Sequence, residues 1–208
     1  MELQTTLQSQ TVHNRIREVG INPNHWYPVT WANDLRSGTV KQVTVWYQDI
    51  AIFRDEAGDV HALADTCPHK GVALHKGAVK GAHLVCPYHG WEFNSQGECV
   101  AIPYFSDKQK LPRACARCYP TQEKYGLIWV FPGNPKWAGE TPLLEITEFD
   151  NLQWLKVPVT AHFKAHFSMC NENTMDVFHG YLHQNLQGWF NPELISLKET
   201  EHHVCAQY

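Results

Sequence analysis

The sequence predicts a mainly β domain of small antiparallel sheets, followed by the start of an α+β domain. Three observations predict it. Short runs of β-branched and aromatic residues alternate with turn residues from about position 25 to 135. Two Cys/His segments, Cys67-Pro68-His69-Lys70-Gly71 and Cys86-Pro87-Tyr88-His89-Gly90-Trp91, interrupt those runs. A helix-like stretch with a polar stripe follows, from Asn171 to His183.

Residues 1–24 are polar and read as an N-terminal arm. Within 25–135, Val43-Thr44-Val45-Trp46-Tyr47 and Ile50-Ala51-Ile52-Phe53 are strand-like. Asp55-Glu56-Ala57-Gly58-Asp59 is a turn that joins 50–54 to 60–64 as a hairpin. Ala82–Val85 enters the second Cys/His segment and Trp91–Phe93 leaves it. The chain then turns at Asn94-Ser95-Gln96-Gly97 and returns through Glu98–Ala101. Gly126–Phe131 makes a last buried strand, and residues 131–142 read as a linker. Residues 136–208 carry the helix and close on 194–208, which reads as a strand.

The Cys/His segments carry chemistry. One residue separates the first pair, two separate the second, and sixteen lie between His69 and Cys86. This is the ligand set of a 2Fe–2S cluster in which two thiolates hold one iron and two imidazoles the other. Cys67 and Cys86 are expected on one iron, His69 and His89 on its partner. Gly71 and Gly90 suit tight turns, and Pro68 and Pro87 stiffen the approach. Structural zinc is the plain alternative, but its knuckles usually place two or more residues between ligands. A zinc-stabilised binding module would be colourless.

On the predicted helix, at roughly 100° per residue, Asp176, His179 and His183 fall within about 60° of one another, with Glu172 on the same side. An asparagine is its expected N-cap. Two histidines at i and i+4 can chelate one metal, and Fe(II) oxygenases use two histidines plus a carboxylate. A satisfied polar helix face is the bland alternative.

CPHKG and CPYHGW resemble the Rieske domain of Rieske-type non-haem iron oxygenases, in their terminal (alpha-type) oxygenase component. Respiratory and photosynthetic Rieske proteins carry an extra cysteine in each loop. Here Lys70, Gly71 and Tyr88 occupy that region, so no bridge can form. Those proteins also place serine and tyrosine hydroxyls where Trp91 and Phe93 stand, so a potential toward the low end of the Rieske range is expected.

The resemblance implies a Rieske domain with the cluster at its tip, followed by the start of an α+β oxygenase catalytic domain. It implies His179 and His183 as ligands of a mononuclear Fe(II). It implies Asp176 as an electron bridge to a neighbouring subunit's cluster, and Asn173 as the family's asparagine three residues earlier. The expected partners are a ferredoxin or flavin reductase, O2 and a small organic substrate, aromatic or ring-containing. The family pattern implies a homo-oligomer, a trimer for the full-length protein. Similar proteins hydroxylate aromatic rings, remove O- or N-methyl groups or oxidise chlorophyll-type rings. The family's third iron ligand, a carboxylate, comes well over a hundred residues after the histidines, and only 25 residues follow His183. None of Glu172, Glu193, Glu199 or Glu201 matches it, so the chain reads as the N-terminal portion of a longer oxygenase. The competing reading is an electron-transfer Rieske protein without catalytic iron.

Composition bounds partners and compartment. Eight Trp, eight Tyr and nine Phe supply large core side chains. A net charge of −4 implies neither a nucleic acid nor an anionic membrane as partner. No apolar run approaches membrane-spanning length, and residues 1–20 lack the apolar core of a signal peptide. Beyond the cluster, Cys99, Cys115, Cys118, Cys170 and Cys205 remain. That odd number implies a reducing compartment, the cytoplasm.

Overall fold

The computed structural model describes residues 22–106, 108–176, 180, 183, 193–200 and 204–207. The chain divides into two compact units, one spanning Ile21–Lys156 and the other holding Val157–Tyr208. The first is mainly β, in the small antiparallel sheets expected.

Its strands are β1 (Tyr27–Trp31), β2 (Thr39–Val45), β3 (Gln48–Arg54), β4 (Val60–Ala64), β5 (Ala78–Lys80), β6 (His83–Val85), β7 (Glu92–Phe93), β8 (Cys99–Ala101), β9 (Cys118–Tyr119), β10 (Thr121–Lys124) and β11 (Leu127–Val130). They pair as β2-β3-β4-β9, β1-β11-β10 and β5-β6-β7-β8. The strand β3 organises the core by the two-residue period of its side chains. Ala51 and Phe53 face a cluster with Leu63, Leu74, Leu84, Phe93, Cys67 and Cys86. Ile50 and Ile52 face the other way, onto Leu35, Val45, Ile128 and Val130. A strand buried on both faces reads as an unbroken apolar run, as Ile50–Phe53 does.

Two expectations change. Trp46 and Tyr47 are the turn between β2 and β3, since Val45 pairs with Gln48. Both carry positive φ, 53° and 60°, the conformation of a two-residue primed turn. Trp46 is held there by an edge contact with Tyr27 at 5.6 Å. Residues 131–142, read as a linker, pack on the first unit. Trp26 meets Phe131 edge-on at 5.3 Å and donates its indole N–H to the Thr141 carbonyl. The Asn24 carboxamide oxygen accepts from the Asn134 N–H at 2.9 Å.

The described part of the second unit holds one helix, α1 (Phe167–Met175), and a hairpin of β12 (Ser196–Glu199) and β13 (Val204–Gln207). This is consistent with the start of an α+β domain. The stretch 194–208 is thus two paired strands, not one. The helix starts before the expected Asn171, because the His166 side chain caps it by accepting from the Ser168 N–H. It ends at Met175, and Asp176 turns to extended backbone (φ −83°, ψ 95°). Val177, Phe178 and Gly180, next in sequence, are weak helix formers. Among the described residues no helix is long and apolar enough to cross a membrane.

Buried acids tie the first unit's loops. Glu92 is almost fully buried and receives Lys80 at 2.6 Å and His83 at 3.2 Å. The Lys80 contact, against burial, holds its carboxyl below the ordinary 4.5, with His83 adding. Burial alone would raise Asp55, but His61 and the Asp59 and Gly58 N–H groups hold it below 3.8. Both acids have lower pKa values folded than unfolded. Their stabilisation is therefore full above the unfolded values and is lost as pH falls through the folded ones. The melting temperature is expected to hold flat from neutrality to about pH 4.5 and to fall below it. Thermal melts from pH 7 to 3 check this, and E92Q should blunt the acid-side fall.

Candidate metal centre

The two Cys/His segments form equivalent loops despite their different spacing. In the first, the Cys67 N–H donates to the Val72 carbonyl at 2.8 Å, and the Gly71 N–H to the Cys67 carbonyl at 2.8 Å. In the second, the Cys86 N–H donates to the Trp91 carbonyl at 2.8 Å, and the Gly90 N–H to the Cys86 carbonyl at 3.1 Å. Each loop thus closes over the same number of residues, with glycine fifth. Only the histidine's place within it differs. Both glycines are left-handed, with φ +71° and +69°. A Cβ on Gly90 would also lie 2.7 Å from Pro103 Cγ.

The first loop lies between β4 and the short 3-10 turn at Leu74–Lys76. The second is the hairpin loop between paired β6 and β7. Both hang from the core cluster that contains Cys67 and Cys86.

Within this frame the loops bring the residues together in two pairs, cysteine with cysteine in the core and histidine with histidine outside it. Cys67 and Cys86 are both 3% exposed, both unbridged, and buried in the same core cluster. The His69 and His89 rings lie 4.8 Å apart and are half-buried. The thiols therefore sit inside and the imidazoles toward solvent. Burial pushes the Cys67 thiol up, and the neighbouring Cys86 adds to this. The nearby backbone N–H groups of His69 and Lys70 pull the other way, favouring thiolate. Desolvation, with His89 and Lys70 adding, holds the His69 imidazole below its ordinary value, in the neutral form that binds metal. His89 Nδ1 is buried and has no hydrogen-bond partner among the described residues. Two buried thiols and a sealed imidazole nitrogen with no partner among the described residues fit a 2Fe–2S cluster held at the loop tips. Tyr88 lies tilted against His89, ring centroids 3.8 Å apart, and Trp91 lies flat on His69.

Sequence reading missed the clamp behind the first loop. Asp65, its side chain 1% exposed, accepts from the His75 N–H at 2.7 Å and pairs with the His75 ring. That joins the loop's two ends. An acid two residues before Cys67 is a hint, but nothing in the sequence pairs it with a residue ten positions on. Asp65→Ala is expected to destabilise the unit by about 2 kcal/mol, the penalty of unpairing a buried polar pair. A urea melt checks it.

The proposed mononuclear site is only partly described. Asn173 lies within α1, Asp176 stands at its C-terminal end, and His183 is described. His179 lies outside the described residues, as do Phe178, Tyr181 and Leu182. α1 ends at Met175 with Asp176 as its cap, and the residues that would carry the polar stripe on to His179 lie outside the described residues.

Comparison with known proteins bears on the whole chain. The Rieske [2Fe-2S] domain family matches residues 25–120. Over 197 residues the chain is 42% identical to 4beta-methylsterol monooxygenase of Methylococcus capsulatus, covering 93% of this chain and 53% of that protein. It is 32% identical over 196 residues to the oxygenase component of 3-ketosteroid-9-alpha-monooxygenase from Rhodococcus rhodochrous, covering 89% and 51%. A crystal structure of dicamba monooxygenase with non-heme iron and dicamba matches with a TM-score of 0.73 at 27% identity, over 90% of this chain and 54% of that one. The chain spans about half the length of the curated relatives it matches.

Proposed function

We propose that this chain, which belongs to the Rieske-type non-haem iron oxygenases, relays single electrons to an iron that oxidises a ring-bearing organic substrate. One observation carries the reading. Two buried, unbridged thiols begin the loops that carry two half-exposed, paired imidazoles, one of which keeps a buried nitrogen without a partner among the described residues.

Cys67 and Cys86 hold the inner iron of the cluster, and His69 and His89 the outer one. When bound, the cluster stores one electron and the mononuclear iron activates O2. The chain's own residues do the rest. The buried cysteines keep water from the sulfurs, while the half-exposed histidines give the electron a way in and out. His179 and His183 hold the second iron, and Asp176, with Asn173 one turn before it, carries the electron toward it across a subunit boundary. Membership of this family implies an electron donor, an organic substrate and O2. The donor is a ferredoxin or flavin reductase, the assembly is a trimer, and the compartment is the cytoplasm. The methylsterol and ketosteroid in the names of two relatives favour a fused-ring, sterol-like substrate.

The test supplies the full-length protein with reduced ferredoxin, O2 and a panel of ring substrates that includes a methylsterol. O2 uptake matched by oxygenated product is the expected result. A cluster that reduces and reoxidises with no product in the panel would instead favour the plain electron carrier.

A further inference from the structure

Trp91 does more than close the second loop. Its ring is parallel to that of His69, with planes 5° apart and centroids 4.3 Å apart. Its carbonyl accepts from the Cys86 N–H at 2.8 Å. It packs on the core cluster that contains both Cys67 and Cys86. One side chain therefore touches the imidazole of the first loop while its backbone ties the cysteine of the second.

Its indole N–H is sealed from solvent and finds no acceptor among the described residues. An unsatisfied buried donor is costly, and native proteins rarely leave one. Indole offers a donor and no acceptor. The missing partner is therefore an acceptor close to the His69 ring, and none of the described residues supplies it. Sulfur of an iron–sulfur cluster is such an acceptor.

We infer that the Trp91 indole N–H donates to a sulfur of the 2Fe–2S cluster, and that Trp91 is thereby a positioning residue that sets its potential. The inference rests on the cluster assignment made above. A donor on sulfur draws electron density from the irons and favours the reduced state. The ring stack is a separate contribution, holding the His69 imidazole in its ligating orientation. The two contributions separate by substitution. Phenylalanine keeps a ring over His69 and removes the N–H, and leucine removes both.

The test is a redox titration of the reconstituted protein, followed by electron paramagnetic resonance. In W91F the cluster is expected to assemble fully, with its reduction equilibrium shifted about tenfold toward the oxidised form. That is a potential lower by about 59 mV for a one-electron couple. W91L is expected to lose cluster occupancy as well. A second measurement uses the unaltered chain with nitrogen-15 indole in its tryptophans. A nitrogen-15 coupling to the reduced cluster is expected, and W91F should abolish it. An unchanged W91F potential on a full cluster overturns the inference and leaves the cluster assignment standing. The acceptor would then be a buried water. Should W91F fail to assemble a cluster, the labelled protein decides, and no coupling there overturns the inference. No cluster in the unaltered chain would overturn the assignment itself.

Discussion

Replacing Cys86 by serine is expected to abolish the visible absorption of the protein and to unfold part of it. Cys86 is 3% exposed and shares its buried cluster with Cys67. Serine removes a thiolate ligand, so the inner iron loses half of its protein ligands. The damage goes beyond colour. Cys67 and Cys86 belong to one core cluster with Phe53, Leu63, Leu74, Leu84 and Phe93, and each starts a ligand loop. Without the shared anchor those loops close only through their own backbone bonds and the Asp65–His75 clamp. Because cluster binding is also folding free energy, a loss of roughly 3 kcal/mol and a fall of about 10 °C or more in melting temperature are expected. Calorimetry beside the visible spectrum checks both. A soluble, folded apo-protein with unchanged thermal stability would contradict the anchoring role.

The second large effect falls on substrate oxidation and spares the cluster. His179→Ala is expected to remove half of the two-histidine chelate and to end turnover, while the cluster reduces at its normal rate. Asp176→Asn should keep both irons and slow oxidation by about 10- to 100-fold, the range for groups that act one shell out. Single-turnover kinetics of cluster oxidation, with and without substrate, distinguish the two. A carrier would transfer electrons equally well in all three forms.

The chemistry of the site was more legible in sequence than its geometry. Thiolate and imidazole are required by the inequivalent irons, so Cys67, His69, Cys86 and His89 announce themselves by type and spacing. The matching closure of the two loops is not written there, because it depends on carbonyls at Val72 and Trp91. The run Ile50–Phe53 was legible because a doubly buried strand must be apolar throughout. The turn at Trp46-Tyr47 was not, since bulky aromatics usually mark strands and rarely adopt positive φ. There a tertiary contact with Tyr27 overrides local preference. The early start of α1 was hidden for a similar reason, as histidine is an uncommon cap. The fit of Trp26 over Phe131, and the Asp65–His75 clamp, join residues far apart in the chain and leave no local pattern.

The central claim is the cluster, and its most direct test is elemental. Iron, zinc and acid-labile sulfide are measured per chain after anaerobic purification with added ferrous iron. About two sulfides with two irons, rising to about three irons where the mononuclear site fills, is the expected result. Zinc without sulfide would contradict it.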